Sequence, residues 1–427
     1  MRPQTTNYKL KMDVLRLATA GSVDDGKSTL IGRLLYDTKS ITKDKLEAVE
    51  ASSKRKGLDF VDLSLLTDGL IAEREQGITI DVAHIYFSTE NRKYIIADTP
   101  GHVEYTRNMI TGASHAEASI VLVDARNGVS EQTRRHLFIS SLLEIDTVIV
   151  AVNKMDLVDF DEAVFNNIKK NVEDISEKIG FKGSITFIPL AAKYGDNVVS
   201  ISARIPWYSG KPLLEYLEAL PVHKKDESLP ARFQVQSVIR PHSDEHHDFR
   251  GYAGKLVSGS LAEGQRVVVL PSLKESVIKS IYMGYEKVGT AKAGESLNVE
   301  LADDIDVSRG NMLVPATEPY QQVSNFTAKL TWMDEQPLTP GKTFLLQHGV
   351  NRVKAKVVSF DHIIDMGIIE EKADVSQFKL NDIGEVTIKT AKPIFADLYK
   401  ANPRNGAIIL IDEFSNGTVA AGFIEKV

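Results

Sequence analysis

Gly21-Ser-Val-Asp-Asp-Gly-Lys-Ser-Thr-Leu30, GSVDDGKSTL, fits the pattern G-x-x-x-x-G-K-[ST], and its surroundings decide how it is read. An apolar run, Val14 to Ala20, precedes it, and Leu30 to Tyr36, with helical apolar spacing, follows. Strand, glycine loop and helix in that order make a phosphate cradle. Glycines let the backbone curl so that successive N–H groups point at phosphate oxygens, and the helix N-terminus reinforces them. The residues expected around a nucleotide's phosphates are Gly21, Ser22, Val23, Asp24, Asp25, Gly26, Lys27, Ser28 and Thr29. Lys27 adds a point charge, and Ser28 a hydroxyl for Mg²⁺.

Working outward, four further apolar runs recur at Tyr94 to Ala97, Ser119 to Val123, Thr147 to Val152 and Ile185 to Ile188, each with a helix-length segment after it. Runs apolar throughout suit parallel strands covered on both faces. The sequence therefore predicts a doubly wound, mostly parallel α/β domain over residues 1–222, closed by a helix at Leu213 to Leu220 and a charged linker, PVHKKDESLP, between Pro221 and Pro230. After Ala231 the pattern changes to period-2 strands separated by glycine turns, such as Gly254 to Gly264, which suits a small antiparallel barrel. A second break falls at residues 316–325, ATEPYQQVSN, and Phe326 to Trp332 opens another β module. Two antiparallel β-barrels are thus expected, over residues 223–320 and 321–427.

Composition agrees with several cores. The 427 residues are 43% hydrophobic and 26% charged, long enough for two or three domains and too apolar to stay disordered. A formal charge of −7 gives no general attraction to nucleic acid or to an anionic membrane, but a local basic patch fits within it, so charge alone leaves the partner open; neither a membrane nor a nucleic acid is expected as one. The chain has no cysteine, which excludes disulfides and thiolate metal sites. The start, MRPQTTNYKLKMD, has no apolar core of a signal peptide, and nothing later reaches the roughly 18 consecutive apolar residues of a membrane span. A soluble, cytoplasmic protein is expected.

Three more stretches carry chemistry. Asp98-Thr-Pro-Gly-His102 follows a strand; Asp98 is suited to hold the water shell of a metal and Gly101 to sense a γ-phosphate through its N–H. His102, directly after that glycine, is placed to orient the attacking water. Val148 to Val152 ends in Asn153-Lys154-Met-Asp156, and a carboxylate at Asp156 accepts from both N1–H and the exocyclic amine of guanine, a pair of donors adenine lacks. Between these, Arg74-Glu-Gln-Gly-Ile-Thr79 offers Thr79 to complete the Mg²⁺ shell when γ-phosphate is present, so that the segment orders with GTP and loosens after hydrolysis. Alone, each stretch reads as a turn or a helix cap. In order, each at the carboxyl end of a strand where open α/β sheets bind ligands, they read as one GTP and Mg²⁺ site with Lys27, Thr79 and His102 as its catalytic groups. A further polar stretch, Pro241 to Asp248, holds His242, His246 and His247, but its spacing matches no zinc pattern.

With these residues in view, GSVDDGKST, EREQGITID, DTPGH, NKMD and the two β modules resemble the translation-factor class of GTPases over nearly the whole chain. Within that class, LRLATAGSVDDGKSTLIGRLLYDTKSI, DARNGVSEQTRRH and IPWYSGKPLLEYL are most similar to the GTPase subunits of bacterial sulfate adenylyltransferases. Carriers of aminoacyl-tRNA are the alternative, but they usually have histidine where Asp25 stands and an acid in place of Arg135. The resemblance implies that GTP hydrolysis is coupled to adenylyl transfer from ATP to sulfate in a smaller partner subunit. It also implies that Val23 and Ile78 flank the catalytic histidine, that Asp24 is the acid of the phosphate loop, and that Ala191, Ala192 and Lys193 form the fifth guanine motif. There the chain departs from the family's Ser-Ala-Leu, losing the serine hydroxyl that supports the base site. Some relatives carry a fused adenylyl-sulfate kinase; with Val427 last and no second phosphate loop, that activity is not expected.

Overall fold

The computed structural model describes residues 12–55, 57, 60–66, 81–102, 106–221, 225–240 and 249–427. Ile78, Thr79 and the histidine stretch Pro241 to Asp248 lie outside the described residues. The chain divides into two compact units, Met1–His223 with Met366–Ile369, and Lys224–Asp365 with Glu370–Val427.

The first unit is built on a six-stranded sheet of β1 (Val14–Ala20), β2 (Ala83–Ser88), β3 (Lys93–Asp98), β4 (Ala118–Asp124), β5 (Thr147–Asn153) and β6 (Ser184–Pro189), in the order β2-β3-β1-β4-β5-β6. All neighbours are parallel except β2, which runs antiparallel to β3 at the edge. The five apolar runs are the five parallel strands. Every residue of β4 is buried, as strands covered on both faces require. The edge strand β2 has one buried residue, Phe87, whose ring stacks on Tyr94 at 4.5 Å. Helix α1 (Lys27–Asp37) sends Leu30, Ile31 and Leu34 into the same core as Leu15, Ile120 and Ile149. Fully burying such a side chain is worth about 1.5–3 kcal/mol. The packing fixes the carboxyl ends of β1, β3, β4 and β5 side by side: Thr19 pairs with Asp98 and Asp124 with Asn153. Helices α2 (Lys43–Arg55), α3 (Thr106–Ala113), α4 (Glu131–Leu142), α5 (Glu162–Ile179) and α6 (Leu213–Ala219) complete the α/β domain.

The second unit holds two closed antiparallel barrels. In the first, strands Arg266–Leu270, Met312–Pro315, Arg232–Ile239, Gly251–Ser258, Ser296–Leu301 and Lys274–Met283 follow one another, and the last pairs back with the first. In the second, the ring runs Thr343–His348, Ala407–Ile411, Thr418–Lys426, Gln322–Trp332, Ile383–Phe395 and Asn351–Asp365, closing again on Thr343–His348. Closure removes the unpaired edges that would otherwise invite association. The charged linker after Pro221 contains a single helical turn, Lys225–Ser228.

The barrels are joined by a buried polar cluster. The Arg232 guanidinium, 1% exposed, donates to both carboxylate oxygens of Asp397 at 3.0 and 2.9 Å and to the Pro319 carbonyl at 2.7 Å. Asn402 and Asn405 donate to the same carboxylate at 3.2 and 2.9 Å, and Asn402 reaches back to Ser258 at 2.9 Å. Shared hydrogen bonds of this kind let two charges sit inside a protein at tolerable cost.

Candidate nucleotide site

The phosphate loop sits where β1 ends and α1 begins. Asp24 (φ 71°) and Gly26 (φ 92°) turn the backbone left-handed, a bend that a glycine takes without strain. Asp25 fastens the bend from inside, its carboxylate accepting the Ser22 N–H at 2.6 Å. No side chain caps α1 at Gly26, and its first turn has no acid. The leading N–H groups of α1 have no carbonyl within the helix, so they form an open, electropositive end suited to an anion. Lys27 is buried and donates to the Gly21 carbonyl at 3.0 Å. Burial lowers its ammonium below the ordinary value, opposed by Asp98, Asp25 and Asp24. A phosphate arriving there supplies the countercharge.

Asp98, at the end of β3, is 3% exposed and accepts from Thr19 Oγ1 at 3.0 Å. Gly101 lies against the loop: a Cβ on it would collide with the Gly21 carbonyl and stand 2.8 Å from Lys27 Nζ. A backbone that close can report on whatever occupies the loop. His102 follows and is exposed. Ser28, in the first turn of α1, and Asp98 offer hard oxygen donors, a set that suits Mg²⁺, which keeps most of its waters and takes few protein ligands. Among the described residues no cluster of three or more His, Cys, Asp or Glu forms a metal cage.

Beside the loop a cavity of about 500 Å³ is lined in part by Gly26, Thr29, Asn153, Lys154, Asp156 and Lys193. Asn153 ties three segments together. Its amide donates to the Asp25 carbonyl at 2.7 Å, and its Oδ1 accepts the Ala192 N–H at 3.0 Å. The Ala191 turn is held by the backbone, with Tyr194 and Gly195 donating to the Ala191 carbonyl at 3.0 and 2.9 Å. Lys154 donates to the Asp24 carbonyl and pairs with Asp124 at 3.0 Å. Half-buried Asp156 opens the short helical turn Met155–Val158. The structure thus brings every described candidate from Gly21 to Thr29, with Asp98, Gly101, His102, Asn153 to Asp156 and Ala191 to Lys193, to the carboxyl edge of one sheet.

Asp124 belongs to this edge and was not singled out from the sequence. Burial alone would raise its carboxyl, but hydrogen bonds from Arg126 and Lys154 hold it at about 2. It anchors the lysine of the guanine motif. Its signal is the apolar run Ser119 to Val123 ending in an acid, the same pattern as at Asp98.

Asp25 is the electrostatic exception. Burial pushes its carboxyl up to about 6, against the Ser22 N–H and Lys27. A carboxyl raised in the folded state stabilises below its unfolded value near 3.8 and loses that stability as pH rises through 6. Asp25→Asn keeps an oxygen for the Ser22 N–H, so the nucleotide-free variant is expected to be more stable than the parent by roughly 1–3 kcal/mol at pH 7.5, with the gap closing between pH 6 and 4. Thermal unfolding across that range checks it; a gap that does not move with pH contradicts the assignment.

Fold and site together define a P-loop GTP-binding protein of the translation-factor class. The family model of the elongation factor Tu GTP binding domain matches residues 12–223, and that of the GTP-eEF1A C-terminal domain-like family matches residues 325–425. The chain is 49% identical over 415 residues to sulfate adenylyltransferase subunit 1 of Erwinia tasmaniensis, covering 97% of this chain and 86% of that one. It is 47% identical over 412 residues to the bifunctional enzyme CysN/CysC of Mycobacterium tuberculosis, covering 96% of this chain and 67% of the relative. It belongs to the sulfate adenylyltransferase subunit 1 family. Among solved structures, Sup35 complexed with GMPPNP aligns over 97% of this chain and 94% of its own, at 22% identity and a TM-score of 0.44.

Proposed function

We propose that this chain is the GTPase subunit of a sulfate adenylyltransferase. It couples GTP hydrolysis to the formation of adenylyl sulfate from ATP and sulfate in a smaller, adenylyl-transferring partner. The observation that supports this most is the uncapped start of α1 with buried Lys27 beside it, next to a cavity walled by Asn153 and Asp156. The first suits a nucleotide's phosphates, the second a guanine. Coupling has a chemical reason: the phosphosulfate anhydride made is far less stable than the ATP bond broken, so its formation must be driven.

In this reading the α1 amides and Lys27 hold the β- and γ-phosphates. Ser28 and Asp98, with Thr79, would hold Mg²⁺, which when bound would supply countercharge for the phosphate oxygens. His102 orients water toward the γ-phosphate. Gly101 donates its N–H to that phosphate, so the segment after it is held only while the γ-phosphate is present. These nucleotides and sulfate point to the cytoplasm, and among the described residues no helix is long and apolar enough to cross a membrane. The second reading, a GTP-gated carrier of aminoacyl-tRNA, is disfavoured by Asp25 and Arg135, where such carriers usually have histidine and an acid.

The test is to purify the chain with the smaller subunit and follow adenylyl-sulfate formation and GTP hydrolysis in one reaction. Both are expected to rise together when ATP and sulfate are present, and Thr79→Ala to remove the GTP effect while sparing the partner's basal activity. An adenylyl-sulfate yield indifferent to GTP, or hydrolysis stimulated only by ribosomes, would overturn the assignment.

A further inference from the structure

The cavity beside the phosphate loop has a wall with no place in the guanine motifs. It is made by Phe60, Val61, Asp62 and Leu63, from the stretch between α2 and the residues around Thr79. This stretch is firmly anchored. Leu63 and Leu66 are buried with Val49 of α2, and Val61 and Leu65 pack against them. The Leu63 carbonyl lies over Gly32 of α1. The Asp62 N–H donates to the buried Ser53 hydroxyl at 2.9 Å, and Asp62 Oδ1 accepts from the Ser64 hydroxyl at 2.6 Å.

Phe60 is the exception within this anchored stretch. Its ring stays outside the cluster that buries its apolar neighbours and remains 43% exposed at the cavity. Its ring begins a ladder of cations and rings. Lys193 Nζ stands 4.1 Å from the Phe60 centroid and 5.2 Å from that of Tyr194. Arg204 lies over Tyr194 at 5.1 Å, and its guanidinium is held by Asp196, with Nε to Oδ1 at 3.0 Å. Cation–ring contacts at exposed sites are individually weak, so they bias the ring's placement. A large aromatic held half out of the core, on the wall of a purine-sized cavity, is a stacking surface.

We propose that Phe60 is a nucleoside-binding residue whose ring packs against the guanosine, with Lys193 setting the ring's angle. This rests on reading the cavity as the guanine pocket, and it adds a second wall on a segment that runs on toward Thr79. Guanosine held on Phe60 favours GDP and GTP alike, so the wall governs how long either nucleotide stays. The choice between them remains with the γ-phosphate contacts.

The experiment is nucleotide binding and release by the full chain. Phe60→Ala is expected to raise the Kd of GDP and of a non-hydrolysable GTP analogue by a common factor, about 5- to 100-fold, mostly through faster release. Phe60→Tyr and Phe60→Trp should restore affinity, because a ring is what is needed, whereas Phe60→Leu should not. The Phe60→Trp indole should also change its fluorescence when GDP binds, measured against a parent that carries two tryptophans of its own. The melting curve of each nucleotide-free variant reports folding separately. Parental affinity in Phe60→Ala, or rescue by leucine, overturns the proposal while leaving the guanine pocket intact. A parent that binds no GDP overturns the pocket itself.

Discussion

Asp156→Asn exchanges guanine for xanthine as the preferred base. In the proposed base site the carboxylate accepts from N1–H and the exocyclic amine of guanine, whereas the amide would bring an N–H to a place where guanine also donates. Xanthine has a carbonyl there, which accepts it. A buried mismatch of this kind is worth discrimination of about 10⁴ or more, because the unpaired groups cannot find water instead. Asp156 is half-buried at the cavity and held in a turn pinned from both sides, since Met155 N donates to the Leu190 carbonyl at 3.2 Å and Phe160 N to the Met155 carbonyl at 2.8 Å. The backbone that carries the amide is therefore held in place. Competition between GTP and xanthosine triphosphate for the parent and the variant reads the ratio directly, and an unchanged guanine preference would remove Asp156 from the base site.

His102→Ala keeps GTP affinity and loses stimulated hydrolysis by about 10²- to 10⁴-fold. Orienting a water matters in the transition state and little in the ground state, so the loss falls on kcat rather than on binding. Lys27→Ala is expected to separate the two effects: in the proposed site its buried ammonium meets the phosphates in both states, so affinity should fall. The assay needs the partner subunit with ATP and sulfate, since P-loop GTPases alone turn over at roughly 10⁻⁴ to 10⁻² s⁻¹. Normal hydrolysis by His102→Ala under those conditions would assign the water to another group.

The parallel strands of the sheet could be read from the sequence because each is apolar along its whole length, and the phosphate loop because strand, glycines and helix occur together. The edge strand Ala83–Ser88 carries no such signal, since only Phe87 of its six residues is buried. The motif residues were legible singly. What joins them was not: Asn153 reaches Asp25 across 128 positions and Ala192 across 39, and nothing local encodes either bond. The Ala-Ala-Lys turn shows the limit best. Its missing serine reads as a loss, yet backbone bonds hold the turn and Lys193 is carried on the rings of Phe60 and Tyr194. Phe60 itself lies in the charged stretch KRKGLDF, where a lone aromatic has no pattern to be read against.

The buried cluster around Arg232 bears on how such a chain can be recombined. Arg232 belongs to one barrel and Asp397, Asn402 and Asn405 to the other, so neither barrel carries a complete set. A chimaera that took one barrel from a distant relative would leave Arg232 with Glu318 alone, at 3.5 Å, or Asp397 without its guanidinium, a defect costing up to about 3–5 kcal/mol. The heritable unit on the carboxyl side is the pair.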